Sequence, residues 1–94
     1  MLTITHDAAD LLVHMRQVAD APDTFGARLF AATPPGGGAP TIAVAFVAEA
    51  ELDDEVTEQE GLTAYVAADV VDVLNEATLD ASPADGGEEL VIRR

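Results

Sequence analysis

The sequence predicts a mainly β domain of the α+β class: two small sheets packed as a sandwich or flattened barrel, with one helix against a side. Three features carry that expectation. Two β-type runs, 27–32 and 41–48, are joined by the loop Thr33-Pro34-Pro35-Gly36-Gly37-Gly38-Ala39-Pro40, the pattern of a hairpin with a long connection. One segment, 7–20, keeps apolar residues at helical spacing for several turns. The remainder breaks into short β-type runs separated by turn residues.

Taken in order, Leu2-Thr3-Ile4 alternates as a short edge strand does, and Thr5 or Asp7 offers an oxygen to cap the helix that follows. At 100° per residue, Ala8, Leu11, Leu12, Met15, Val18 and Ala19 form the face that packs on a sheet, with Arg16 near its rim. His6, Asp10, His14 and Gln17 fall on the opposite side. Residues 21–26 turn the chain into the hairpin. Its second strand has no charged residue, with Ile42, Val44 and Phe46 on one side and small residues on the other, so it is expected to be covered on both faces and to form the spine of the core. The acidic connection 49–55 follows, with Leu52 as its apolar anchor. Strands at 55–58 and 62–66 then pair about a turn at Gln59-Glu60-Gly61. Residues 67–74 form about two helical turns, with strand as the alternative because of Val71 and Val73. A short run at 78–80, a turn through 82–87 and a last strand at 88–92 complete a single domain, 1–94, without internal repeats.

A chain of 94 residues supports one core with little margin. Many of its apolar residues are alanines, which points to modest stability or to help from a partner subunit. No stretch approaches the roughly 18–20 apolar residues of a membrane span, and no secretory leader is visible, so a soluble cytoplasmic protein is expected. The formal charge of −14 sets 18 acids against four arginines and no lysine. Such a surface repels phosphate backbones and anionic membranes, which excludes nucleic acid and lipid as natural partners. The acidity reports solubility, a salty cytoplasm or a genome poor in lysine codons, or else a basic partner or attracted cations. With no cysteine there is no disulfide and no thiolate chemistry.

Chemically, the densest constellation is His6, Asp10 and His14, at i, i+4 and i+8 on the expected helix. Imidazole and carboxylate at one-turn spacing are metal donors, and a solvated helix face is the competing reading. The glycines 36–38 lack the Gly-Lys-Ser/Thr of a phosphate loop and lead into a strand, not a helix. Residues 49–55 are acidic without the ordered spacing of a calcium loop. The adjacent acids Asp53 and Asp54 would matter only if one were buried. Ser82, the single serine, precedes a proline in an expected turn and sits in no nucleophile pattern. An enzyme is not expected.

The order of these pieces resembles the HesB/IscA-like domain, the fold of the A-type carriers of iron-sulfur cluster assembly. Leu2-Thr3-Ile4-Thr5 with Ala8-Ala9 resembles the family's opening strand and helix, and Gly26-Ala27-Arg28-Leu29 its first hairpin strand. Asp53-Asp54-Glu55-Val56 with Gly61-Leu62-Thr63 is similar to its acidic turn and next strand. Leu74, Leu79-Asp80 and Leu90-Val91-Ile92 match its later pieces. The resemblance places the family's loop cysteine at Gly37 or Gly38, and the sequence stops at Arg94 before a Cys-x-Cys tail. Clusters of this kind are held by thiolates, so no iron-sulfur cluster or other cofactor is expected. What the resemblance implies is a non-enzymatic relative of the assembly factors, with a degenerate site, that acts by protein contact with a partner or as a homo-oligomer. Its contact residues would be Pro35, Gly36, Gly37, Gly38, Leu90 and Ile92, within the loop 34–40 and the edge 90–94, where the family's cysteines converge. The alternative is a protein that binds and delivers iron or another divalent metal through carboxylates and His6 or His14.

Overall fold

The computed structural model describes residues 2–39, 41–84 and 87–93. Pro40 of the expected contact loop, Asp85 and Gly86 of the expected turn, and Arg94 of the expected edge lie outside them. Strand β1 (Thr3–Ile4) leads through Thr5 into helix α1 (His6–Val18). Strands β2 (Gly26–Ala32) and β3 (Thr41–Val47) form the expected long-loop hairpin, in register from Gly26 opposite Val47 to Ala32 opposite Thr41. Strands β4 (Glu55–Gln59) and β5 (Leu62–Val66) form a second hairpin. A single helical turn, α2 (Val71–Leu74), precedes the hairpin of β6 (Thr78–Ala84) and β7 (Gly87–Arg93).

These strands form two mixed sheets and no closed barrel, as the mainly β, one-helix expectation required. One sheet has the order β3-β2-β5-β4, with β2 and β5 parallel at its centre, and the other has the order β1-β6-β7, with β1 parallel to β6. Helix α1 packs on β6 and β7. Both sheets and both helices share one buried cluster, in which Leu12, Leu29, Leu62 and Leu74 are the largest enclosed side chains. Six of the fifteen buried apolar residues described are alanines, so much of this core gains close packing and little transfer free energy. Gly26 is one source of that closeness. A Cβ there would lie 2.6 Å from the Tyr65 ring and 2.9 Å from the Thr63 carbonyl oxygen.

Several expectations are corrected. Strand β3 is an edge strand, exposed at Thr41 and half-buried elsewhere, because only β2 pairs with it. The central positions belong to β2 and β5. In β5, Leu62, Ala64 and Val66 alternate inward with the two-residue period of a strand. The helix begins one residue early and ends at Val18. Thr5 is its cap, accepting from the Ala8 N–H at 3.1 Å, which draws His6 into the first turn. At the other end Asp20 adopts a left-handed backbone (φ 58°). The N–H groups of Asp20 and Ala21 donate to the Gln17 and Arg16 carbonyls, and this closes the helix. On the packing face Ala8, Ala9 and Leu12 are buried, Leu11 and Met15 are half-buried, and Val18 is 74% exposed, because the helix overhangs the sheet at its C-terminal end.

Leu52 is no anchor, being 98% exposed. The expected turn through 82–87 is shorter, since Ser82, Pro83 and Ala84 extend β6 opposite Glu89, Glu88 and Gly87. Proline is tolerated because β1 pairs only with Thr78 and Leu79, which leaves β6 without a neighbour on that side at Pro83. Residues 67–74 contain one helical turn, not two. The β4–β5 turn is as expected: Glu60 and Gly61 both have positive φ (52° and 74°), the conformation a two-residue hairpin turn requires.

Gln59, the last residue of β4, joins the two sheets. Its Oε1 accepts from the Ile4 N–H at 2.7 Å, and its Nε2 donates to the Leu2 carbonyl at 2.6 Å and to the Thr57 hydroxyl at 3.1 Å. Leu2 and Ile4 are themselves buried, so removing the amide strands two backbone groups away from water. Gln59→Ala is expected to cost about 2 kcal/mol, the desolvation penalty of unpaired polar groups. The check is urea unfolding of the variant beside wild type. An unchanged midpoint with unchanged slope would show that water or a shift of β1 replaces the amide.

Candidate functional site

Strand β2 ends at Ala32, and the connection to β3 swings out from the sheet. Pro35, Gly36, Gly37 and Gly38 are all exposed, and the Gly37 N–H closes a turn on the Pro34 carbonyl at 3.1 Å. The three glycines have φ of 85°, 92° and 112°, a region in which a residue with a Cβ is strained. No atom lies within 4 Å of where their Cβ atoms would be. The loop therefore demands glycine for its backbone while leaving the surrounding space open.

Leu90 and Ile92 are half-buried on β7 and pack against the core. Strands β3 and β7 are the facing edges of the two sheets, and an apolar cleft separates them beneath α1. Ile42, one residue into β3 from the glycine loop, lines this cleft together with Leu90. Among the expected contact residues only Leu90 lines this cleft; Pro35, Gly36, Gly37, Gly38 and Ile92 do not.

The His6, Asp10 and His14 set does not assemble. His6 Nε2 lies 3.3 Å from Asp10 Oδ2, while its Nδ1 lies 3.6 Å from Glu60 Oε2 on the β4–β5 turn. The two ring nitrogens thus address carboxylates on opposite sides and define no common point. His14 lies apart, on the wall of the cleft. Among the described residues no group of three or more histidine, aspartate or glutamate side chains is placed to hold a metal ion.

Two better-built polar sites have pairings that the sequence reading did not give, although it named Asp54 as an acid that would matter if buried. Arg28, on β2, makes a two-pronged contact with Asp54, its Nε and Nη2 donating to Oδ2 and Oδ1 at 2.9 and 3.1 Å. The Asp54 side chain is only 1% exposed. Its Oδ2 also accepts from the Glu51 N–H at 2.9 Å, so the acidic connection is pinned by charge where Leu52 had been expected to pin it. The hydrogen bonds from Arg28 hold the Asp54 carboxyl below its ordinary pKa, and Asp54 raises that of Arg28. The second site is Asp80. It accepts from the Thr5 hydroxyl at 2.8 Å, the Ala81 N–H at 2.8 Å and Arg93 Nε at 3.2 Å, and its carboxyl is lowered first by Thr5. Sequence offered the residue types but not the pairings, which span 26 and 75 positions.

No family model matches the sequence, and no curated protein matches it either. Solved structures do match the fold. The chain superposes on IscA crystallised with a [2Fe-2S] cluster, at a TM-score of 0.83 and 20% identity over 100% of this chain and 85% of that one. It also superposes on Escherichia coli SufA, involved in biosynthesis of iron-sulfur clusters, at 0.75 and 21% identity over 99% and 84% of the two chains. A protein from Aquifex aeolicus, solved by NMR, gives 0.74 and 22% over 99% and 90%. The architecture is that of the A-type iron-sulfur carriers, with cysteine absent from all 94 positions. No described helix is long and apolar enough to cross a membrane.

The Arg28–Asp54 pair makes a pH prediction. Because the folded carboxyl binds a proton less readily than the unfolded one, falling pH protonates the unfolded chain first and favours it. The stabilisation is complete above the unfolded aspartate value of about 3.9 and is lost as pH drops through the lower folded value. Asp54→Asn should cost about 1–2 kcal/mol at neutral pH and little once wild type is itself protonated. Acid also relieves repulsion among the other carboxylates, so the quantity to measure is the difference between variant and wild type in denaturant titrations from neutral pH downward. A difference that stays constant across that range would remove the pair from the account.

Proposed function

We propose that this chain is a non-enzymatic protein built on the A-type carrier fold that acts through protein contact and binds neither an iron-sulfur cluster nor another cofactor. The glycine loop is the observation that supports this reading most directly. IscA is a structure with a [2Fe-2S] cluster, and clusters of that type need soft anionic sulfur donors. Here the corresponding loop has no thiolate, and its backbone at Gly37 and Gly38 disfavours any side chain that could reach inward. The donor set does not fit the cluster, and no transfer step is assigned to these residues.

What this reading leaves to the chain is a contact role. Pro35 and the three glycines project into solvent, while Leu90 and Ile92 lie half-buried on β7. A role beside iron-sulfur assembly factors would use this surface to engage a partner without carrying the cargo. A non-enzymatic role is supported by the polar sites: Arg28–Asp54 and Thr5–Asp80–Arg93 are closed on themselves.

Anaerobic reconstitution with iron and sulfide tests the first half of the proposal, and the protein should stay colourless, with no thiolate-to-iron charge-transfer absorption. A stoichiometric brown protein would refute it. Calorimetric titration with Fe(II) and Zn(II) tests metal delivery, and no binding tighter than high micromolar is expected. Tight binding that disappears in His6→Ala with His14→Ala would instead establish the metal-binding alternative.

A further inference from the structure

The cleft between β3 and β7 is a mostly apolar depression. It comprises two adjoining hollows of about 650 and 460 Å³ that share Leu11, Met15, Val44 and Glu88. Its roof is the overhanging end of α1, where Val18 is exposed. One wall is the free edge of β3. A sheet edge presents unpaired N–H and C=O groups to any strand that approaches, and proteins ordinarily guard such edges with charge, proline or a bulge. The opposite edge of the same sheet is guarded, since β4 carries Glu55 and Glu58. Strand β3 reads Thr-Ile-Ala-Val-Ala-Phe-Val, with no charge, no proline within it and one-to-one pairing along β2. Across the cleft β7 places the exposed acids Glu88 and Glu89 on the facing wall.

Charge selects the occupant. The chain carries −14; among its described arginines Arg28 pairs with Asp54 and Arg93 with Asp80, while Arg16 donates to the Phe25 carbonyl with its Nε buried and unpartnered. None of them lines the cleft. A second copy would bring the same −14 to an acidic wall, whereas a basic segment meets an attractive field at long range and carboxylates at short range.

We propose that this cleft receives an extended basic and apolar segment of another protein, which adds as a strand to β3 with its apolar side chains under α1 and its basic ones toward Glu88 and Glu89. The proposal rests on the protein-contact reading above and gives that contact its place and its chemistry. Strand addition supplies affinity through main-chain hydrogen bonds and specificity through alternate side chains.

The probe is a synthetic peptide of alternating lysine and valine long enough to span β3, compared with a glutamate–valine peptide and with a lysine–valine peptide N-methylated on alternate residues. By fluorescence anisotropy at low salt the lysine–valine peptide should bind and the other two should not. Amide resonances of residues 43–47 should shift on binding. Glu88→Lys with Glu89→Lys changes exposed residues only and should weaken the complex roughly tenfold or more, from loss of surface attraction and reversal of the local field. Val18→Asp, also at an exposed position, should weaken it comparably. Equal binding of the lysine–valine peptide and either control, or binding of none of the three, overturns the proposal. So does sedimentation showing a dimer that Val18→Asp dissociates, which would give the cleft to a second copy. Failure here with a colourless reconstituted protein removes the cleft alone, whereas a cluster-bearing protein removes the contact reading itself.

Discussion

Hydrogen bonding across the two sheets passes through a side chain where a strand is missing. The parallel pairing of β1 with β6 satisfies one side of β1, but its other side faces the four-stranded sheet with no neighbour to receive it. The amide of Gln59 is long enough, and carries both donor and acceptor, to complete that side as a backbone would. A buried backbone polar group must be paired, so β1 can sit between the sheets only because β4 ends on this residue. The helix inherits the consequence. Thr5 follows directly on β1, caps α1 and bonds Asp80, so the placement of two residues of strand fixes where the helix starts and hence how far it overhangs the cleft.

Much of this architecture was legible in short-range pattern. The helix, the first two hairpins and the Glu60-Gly61 turn follow from periodicity and from turn residues whose conformational demands are local. Strand β3 was misplaced because an uncharged run carries the same signal whether it lies at the centre of a sheet or at an undefended edge. Only the order of strands separates the two, and that order depends on the parallel pairing of β2 with β5, which no local motif announces. Leu52 failed for a related reason: hydrophobicity suggested an anchor, but a charge pair between residues 28 and 54 fixed the loop first. Gln59 lay inside a correctly placed turn and gave no sign of its role, since a glutamine at a strand end is ordinary until something buried lies opposite it.

Candidate chemistry was less legible than fold, and the histidines show why. Spacing at i, i+4 and i+8 describes a helix face, but donors converge on a metal only if their lone pairs meet at a point. His6 is drawn instead between Asp10 and a residue of another hairpin, and His14 reaches the cleft. The glycine loop was more informative. The family resemblance suggested a cysteine position at Gly37 or Gly38, and the backbone bears on that expectation. With φ near 90° at Gly36 and Gly37 and 112° at Gly38, any residue with a Cβ would be strained there.

Fold and donors are separable demands: a cluster needs thiolates, which this chain lacks, whereas a contact surface of the kind proposed is made by the sheets whatever the loop contains. An apolar edge strand left without charge beside an acidic wall is an aggregation hazard in a monomer, and β4 shows that this sheet can be guarded at its other edge. The large negative charge restrains the hazard between like copies while leaving the edge open to a basic chain. Composition and topology, which looked unrelated in the sequence, thus act on the same surface: one admits a strand, and the other decides which strands approach.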